Sequence, residues 1–181
     1  MVLHGQGVTL REHCPDDLQA VHAWHGDPEV MKFLSWGAET LEQSLLYLSD
    51  CIRDQHRPLR SRYRLAIVEE QSGRVAGCGS IHWRGRGQGG GDGRLGCFLA
   101  REFQGRGLAR ETTRLLVEFG LHELGMHRIS ATCLAGNTSS ERTLRALGFV
   151  WEGTMRLHSH RSGLWLDRHF FSVLKEEWGR T

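Results

Sequence analysis

Strand-like runs and helical patterns alternate along the first half of the chain. Residues 8–12 predict a first strand, and apolar residues recur at helical spacing in residues 18–24. This helix is expected to end before Asp27-Pro28, because residues that precede proline avoid the helical region of backbone space. A second helix is predicted from about Thr40, with apolar positions at helical spacing at Leu41, Leu45, Leu48 and Ile52.

The second half continues this alternation. Strands are predicted at residues 63–68, 75–81 and 95–99, and an amphipathic helix follows from Leu108 to a terminating Gly125. After it come a strand at 129–134, a short helix at 137–148, a strand beginning at 149 and a last strand at 169–174. With no internal repeat and no linker, residues 1–181 are interpreted as one mixed α/β (α+β) domain.

Composition adds broad limits. The 181 residues are 39% hydrophobic and 24% charged, which is typical of a soluble globular domain. A net charge of +2 is too small to indicate nucleic acid as a partner, and no apolar run approaches the roughly 20 residues of a membrane helix. Five scattered cysteines indicate neither a metal site nor a disulfide framework. We therefore expect a cytoplasmic protein, monomer or homodimer, without nucleic-acid or membrane partners.

The most informative segment is a glycine turn between strand 95–99 and the helix that follows. Such a turn leaves N–H groups at the helix N-terminus without acceptors, and with the positive end of the helix dipole they form an anion site. Glycine also lets the main chain approach a bulky phosphate where a Cβ would clash. The candidate phosphate-binding residues are Gln104, Gly105, Arg106, Gly107, Leu108 and Ala109.

A second glycine-rich segment matches a different pattern. Residues 85–90 fit the GxGxxG fingerprint of dinucleotide-binding folds. That fingerprint requires a helix directly after it, whereas here more glycine and then a predicted strand follow. We therefore interpret the segment as a hairpin loop.

The sequence resembles the GNAT superfamily of acetyl-CoA-dependent N-acetyltransferases, and its RimJ/RimL-like branch in particular. The superfamily's acyl-CoA signature, Gln/Arg-x-x-Gly-x-Gly/Ala, is matched by Gln104, Gly107 and Ala109. Segments similar to the branch's opening, its Asn-x-x-Ser…Gly-Phe segment and its tail lie at residues 10–34, 137–149 and 163–178. The resemblance covers nearly the whole chain and implies one GNAT domain, with a mixed, mostly antiparallel sheet flanked by helices.

The resemblance implies acetyl-CoA as the co-substrate. Its pyrophosphate would bind the N–H groups of residues 104–109, and its pantetheine arm would lie along Phe98 and Leu99. Asn137 corresponds to the family asparagine that contacts this arm, although an asparagine before a helix is also an ordinary turn residue.

The resemblance also bears on the acid that protonates the leaving thiolate. Many relatives use a tyrosine seven residues after the asparagine, and that position is Leu144 here. In the RimJ/RimL-like branch a serine takes this role, which maps to Ser140. Capping of the helix is the alternative role for this serine.

The general base is harder to assign. A protonated amine is not a nucleophile, so a base or a water chain must remove a proton. The glutamate of RimL-like proteins aligns with Ser159, but His158 and His160 flank it, and an imidazole can accept a proton near neutral pH. Glu12 is a further candidate, and Arg94 stands where some relatives carry an acid.

The acceptor is predicted to be a primary amine, either a protein N-terminal α-amine, as in ribosomal-protein acetylation, or a small-molecule amine such as an antibiotic, polyamine or amino sugar. Direct transfer is favoured over an acetyl-cysteine route, because nothing in the sequence activates Cys97 or Cys133. Trp36 is assigned either to the acceptor pocket or to the core. The missing tyrosine and acids leave a second hypothesis open, a catalytically silent acyl-CoA-binding regulatory module.

Overall fold

An eight-stranded sheet is the framework of the molecule, in a computed structural model that describes residues 1–33, 40–85, 90–161 and 163–179. Its strands lie side by side in the order β1-β2-β3-β4-β5-β6-β8-β7. Their bounds are β1 Val2–Gly5, β2 Val8–Glu12, β3 Arg62–Glu69, β4 Val75–Arg84, β5 Asp92–Leu99, β6 Arg128–Leu134, β7 Val150–Arg161 and β8 Leu164–Leu174. Neighbouring strands are antiparallel except β5 and β6, which are parallel. The predicted mixed, mostly antiparallel sheet is confirmed.

Helices flank both faces of this sheet. They are α1 Leu18–His25, α2 Pro28–Met31, α3 Leu41–Gln55, α4 Leu108–Glu118 and α5 Thr138–Ala146. α4 packs closely on one face, since a Cβ on Gly79 of β4 would lie only 2.8 Å from the Thr112 Cγ2. α1 covers the opposite face, where the Trp24 ring packs edge-on against Phe98 with centroids 4.8 Å apart. No helix within the described ranges is both long and apolar enough to cross a lipid bilayer.

The helix predicted at residues 108–125 changes its geometry before its end. The regular α-helix stops at Glu118, and Phe119–Glu123 form a π-helical turn. A Cβ on Gly120 would lie 2.5 Å from the Ile129 Cδ1 and 2.6 Å from the Ile81 Cδ1. The wider turn thus brings bare backbone onto two core side chains.

α3 confirms the predicted second helix, but the side it buries differs from the one that the apolar spacing predicts. Leu48 is buried, whereas Leu41 and Leu45 are each 48% exposed. The buried carboxylate of Asp54 pairs instead with the Arg64 Nη2 at 2.8 Å, on the side of the helix that faces β3. Apolar spacing predicted that a helix forms here, but the buried side combines Leu48 and Cys51 with the ion-paired Asp54 and leaves Leu41 and Leu45 outside.

Both ends of the sheet extend further than the sequence pattern predicts. β1 pairs with β2 across a turn at Gly7, whose φ is +72°. β1 was not predicted, because its four residues are too few to show a hydrophobic pattern. The strand predicted to begin at 149 continues as β7 to Arg161, and its partner β8 begins at Leu164 rather than 169. The resulting long β7–β8 hairpin lies beside β6, with β7 at the edge of the sheet.

A buried ionic network joins β2 to the start of α1. Arg11 donates two hydrogen bonds to the Asp17 carboxylate, and the His13 Nδ1 lies 3.2 Å from the same group. Burial alone would lower the pKa of His13, but hydrogen bonds to Asp17 and Cys78 outweigh it and raise the pKa to about 9. Burial would raise the pKa of Asp17, yet hydrogen bonds from Arg11 and His13 hold it well below its ordinary value.

We predict that His13 makes the protein less stable at alkaline pH. Because its folded pKa is raised, its contribution is fully present below about pH 6.5 and disappears as the pH rises through about 9. Between about pH 6 and pH 10, the unfolding free energy of the wild type should therefore fall by up to roughly 3 kcal/mol more than that of His13→Gln. Urea denaturation measures this, with His122→Gln, at an exposed position, as the control. Equal losses in the wild type and His13→Gln would contradict the assignment.

Candidate active site

The parallel strands β5 and β6 separate in the middle of the sheet. They pair over four residues each, ending at Leu95 and Ala131. Beyond this point β5 continues through residues 96–99 and β6 through residues 132–134, with no pairing between them. We call this gap the β5–β6 wedge and the Leu95–Ala131 pair its apex. An extended ligand can bind such strand edges through their backbone groups, and the predicted pantetheine residues Phe98 and Leu99 lie on the β5 side.

The wedge opens onto the predicted glycine turn at the N-terminus of α4. Gln104 anchors this turn, because its side-chain Nε2 donates to the Leu99 carbonyl oxygen at 2.9 Å. Gly105 and Gly107 have φ values of +74° and +82°, in the left-handed region that favours glycine. A Cβ on either residue would meet nothing within 4 Å, so the space in front of the turn is open.

The turn presents backbone donors without internal acceptors. Gly107 holds the N-cap position of α4 and offers no side-chain cap. The first helical bond of α4 runs from the Glu111 N–H to the Gly107 carbonyl. Within the described part of the chain, the N–H groups of residues 105–110, which include Leu108 and Ala109, have no hydrogen-bond acceptor. Together with the helix dipole, these donors form a cradle that can accept an anion such as a pyrophosphate.

Arg106 contributes less charge to this cradle than its place in the turn predicts. Its Nη1 lies 3.4 Å from the Oε1 of Glu69, at the end of β3. Its guanidinium also lies 5.9 Å from the ring centre of Phe103. These contacts hold the guanidinium beside the turn and partly neutralise it.

Asn137 and Ser140 occupy the first turn of α5. Asn137 is the N-cap residue, and its Oδ1 accepts a hydrogen bond from the Ser140 N–H at 3.1 Å. Ser140 is therefore not the cap, and its side-chain hydroxyl makes no hydrogen bond to another described residue. A half-buried hydroxyl with a free proton can protonate a leaving thiolate. Leu144, at the position of the missing tyrosine, is buried in the core.

The cysteines on the two sides of the wedge are thiols at neutral pH. Burial raises the pKa of Cys97 to about 12. Burial, with the nearby carboxylate of Glu141, raises the pKa of Cys133 to about 11. Because only the thiolate is a strong nucleophile, both environments support direct transfer over an acetyl-cysteine route.

His158 and His160 lie on β7, the edge strand of the sheet, and both are exposed. His160 packs against Trp165 with ring centroids 5.0 Å apart, and the His158 Nδ1 is 3.5 Å from the Ser159 hydroxyl. β8 stands between them and β6, so the fold does not bring either imidazole to the apex. Their role as the catalytic base stays a prediction.

Other sequence candidates also lie apart from the wedge. Glu12 is held by two hydrogen bonds from Arg60, at 2.6 and 3.0 Å, on a strand separated from β5 by β3 and β4.

The GxGxxG segment connects β4 and β5, which pair antiparallel, so the hairpin interpretation is confirmed, although residues 86–89 lie outside the described ranges. Trp36 also lies outside the described residues.

Arg94 does lie at the apex, and sequence reasoning missed the residues that meet it. The Arg94 Nη2 and the Arg168 Nη1 donate to the same oxygen, the Thr132 Oγ1, at 3.3 and 2.9 Å. The Arg168 Nε donates to the Ser159 hydroxyl at 3.1 Å. The sequence does show Arg168 as an arginine within the largely apolar run of β8. Only the pairing of β8 with β6, however, brings it to the wedge.

The chain is similar to N-acetyltransferases along nearly its whole length. The family described as "Acetyltransferase (GNAT) domain" matches residues 8–150. Uncharacterized N-acetyltransferase p20 of Bacillus licheniformis is 28% identical over 176 residues, covering 97% of each chain.

Two solved structures share the fold. Spermidine N-acetyltransferase from Vibrio cholerae, in complex with CoA and spermine, has a TM-score of 0.81 at 19% identity and covers 94% of this chain and 97% of its own. Ribosomal-protein-S5-alanine acetyltransferase from Vibrio fischeri has a TM-score of 0.80 at 21% identity and covers 98% of each chain. At these identities the likeness is one of fold alone.

We predict that Gly107→Glu weakens CoA binding on the order of 100-fold, because it places a carboxylate against the phosphate cradle. Gly7→Glu is the matched control, since its φ of +72° gives the same backbone strain and a Cβ there also meets nothing within 4 Å. Isothermal titration calorimetry with CoA compares the two variants with the wild type. Wild-type affinity in Gly107→Glu would remove the turn from the binding site.

Proposed function

This chain belongs to the GNAT family of acetyltransferases, and from that premise we propose that it transfers the acetyl group of acetyl-CoA directly to a primary amine. The observation that carries the proposal is the continuity of the β5–β6 wedge with the donor-rich turn at residues 105–110. The turn offers N–H groups to the pyrophosphate, and the wedge offers strand edges to the amides of the pantetheine arm.

The thioester is placed at the wedge apex in this proposal. From the turn, the pantetheine arm would follow β5 backwards from Leu99 to the apex at Leu95, a distance of roughly 13 Å along an extended strand. A backbone N–H at the strand edge would stabilise the oxyanion that develops when the amine attacks the carbonyl carbon. Trp24, packed against Phe98, shields this side of the wedge from water.

Ser140 is the proposed acid for the leaving thiolate. Its hydroxyl has no other hydrogen-bond partner among the described residues, and Asn137 fixes the helical turn that carries it. A thiol has an ordinary pKa of about 8.5, so the leaving thiolate needs only a weak acid. The Ser140 hydroxyl therefore has to be correctly positioned, but it does not have to be strongly acidic.

Water is the proposed route for the amine proton. In the described ranges Arg94 and Arg168 bond to hydroxyl groups and not to a carboxylate, so neither arginine fixes an acidic side chain at the apex as a base. His158 and His160, exposed on β7, stay the predicted bases at the solvent end of such a route.

Two classes of acceptor fit the family. A protein N-terminal α-amine is one, in the manner of the ribosomal-protein enzyme from Vibrio fischeri, and a small-molecule amine is the other, in the manner of the spermidine enzyme from Vibrio cholerae.

Amine-dependent release of CoA thiol tests the proposal. The purified protein is mixed with acetyl-CoA, a thiol reagent and a broad panel of primary amines, including N-terminal peptides, and the products are identified by mass spectrometry. An acetylated amine and an equal amount of free CoA are expected. Tight CoA binding without turnover on any amine would instead identify the silent acyl-CoA-binding module.

We predict that Ser140→Ala lowers kcat by roughly 10- to 100-fold and leaves the Kd for acetyl-CoA within about 2-fold, because the hydroxyl acts on the leaving group. Ser139→Ala is the matched control, since Ser139 is an exposed serine in the same helical turn. Steady-state kinetics and calorimetry give the two constants. Equal kcat values for both variants would remove Ser140 from the mechanism.

A further inference from the structure

Two arginines converge beside the wedge apex from different strands. Arg94 of β5 and Arg168 of β8 reach the same hydroxyl, that of Thr132 on the intervening strand β6. Arg94 and Phe98 are four residues apart on one strand, so both point to the face covered by α1. The two guanidinium groups therefore lie on that face of the sheet, next to the first residue of β6 that no longer pairs with β5.

These two charges have no carboxylate partner among the described residues. Their hydrogen-bond acceptors are the neutral hydroxyls of Thr132 and Ser159. Burial and the neighbouring Arg84 lower the pKa of Arg94, and burial and Arg94 lower the pKa of Arg168. Both shifts have the direction that a buried cation takes among other cations.

Elsewhere the protein neutralises arginines of comparable burial. Arg11 pairs with Asp17 at 2.7 Å, Arg60 with Glu12 at 2.6 Å and Arg64 with Asp54 at 2.8 Å. Burying a charge without a partner is unfavourable, and burying two of the same sign side by side is more so. The exception at the apex therefore calls for an anion that the chain itself does not supply.

The phosphates of CoA do not fill this role. Their cradle begins beyond Leu99, and Arg94 lies five residues earlier on β5, roughly 16 Å away along an extended strand. The part of the co-substrate that reaches the apex is the uncharged thioester. The missing anion must then belong to the acceptor.

We propose that Arg94 and Arg168 form an anion subsite and that the acceptor is a small acidic amine, with a carboxylate or phosphate a few bonds from its nucleophilic nitrogen. Amino acids and aminoalkyl phosphates have this chemistry. The short separation follows from the position of the subsite directly beside the apex. This inference rests on the proposed acetyl transfer and specifies its substrate class.

The same subsite disfavours a polyamine. His82, opposite Arg94 on β4, has its pKa lowered by burial and by Arg62, Arg64, Arg94 and Arg84, so this face of the sheet has a positive potential. A polycation would be repelled there at every protonated nitrogen. The spermidine enzyme from Vibrio cholerae shares the fold, but the acceptor that we propose for this chain belongs to a different chemical class.

The test compares amino acids with their own carboxamides as acceptors, together with aminoalkyl phosphates, neutral N-terminal peptides and spermidine. The amide has the less basic amine, so its intrinsic reactivity at neutral pH is higher, and a preference for the acid must come from the enzyme. We expect kcat/KM for the best acid to exceed that of its amide by about 10-fold or more. A still higher value with an aminoalkyl phosphate would identify phosphate as the natural anion.

Variants test whether Arg94 and Arg168 cause the preference for the acid over its amide. Arg94→Gln and Arg168→Gln should bring the acid-to-amide ratio close to one, Arg168→Lys should keep part of it, and Arg53→Gln, an exposed arginine on α3, should leave it unchanged. The thermal midpoint of Arg94→Gln should be equal to or above that of the wild type, because removing one charge relieves repulsion. If Arg94 had a purely structural role, its replacement would lower the thermal midpoint.

The outcomes separate the subsite from the proposed function. Efficient acetylation of amides, neutral peptides or spermidine without preference for acids would overturn the subsite and leave the acetyltransferase intact. An acid preference that survives in Arg94→Gln and Arg168→Gln would also overturn it. Absence of thiol release with every amine, in a protein that binds CoA, would instead overturn the proposed function.

Discussion

Pairing between β5 and β6 stops at Leu95 and Ala131, and this interruption opens the wedge that we propose as the ligand site, within an otherwise continuous sheet. Because the two strands are parallel, the turns that follow them leave from the same edge of the sheet. The α4 turn at 105–110 and the first turn of α5 therefore both stand beside the wedge. An antiparallel pair would place these helix N-termini at opposite ends, and the anion cradle would be separated from the proposed acid.

Much of this arrangement could be predicted from local pattern. The glycine turn follows from strand, glycine and helix in succession, and its positive φ values at Gly105 and Gly107 explain why those residues are glycine. The N-cap role of Asn137 is equally local. The meeting of Arg94 with Arg168 could not be predicted, because it depends on the position of β8 between β6 and β7. The two arginines are 74 positions apart, and no local sequence pattern links them. β1 and the side of α3 that is buried depended likewise on tertiary pairing.

The distribution of charge divides the site into two functions. In our proposal the cradle binds the pyrophosphate through backbone groups, while Arg106, between its two glycines, is held by Glu69. At the apex the reverse holds, because Arg94 and Arg168 supply the positive charge and hydroxyls hold their orientation. In our proposal, backbone groups bind the acetyl donor and side chains select the acceptor, so one fold can serve different acceptors.

Hydrogen–deuterium exchange with and without CoA tests most directly whether the wedge and the turn form one binding site. The N–H groups of residues 105–110 have no acceptor within the described chain, so they exchange fast until a ligand supplies one. Saturating CoA should slow exchange in peptides that cover residues 104–110 and 96–99, with little change in the β1–β2 hairpin. Unchanged exchange in both peptides at saturating CoA would contradict the account.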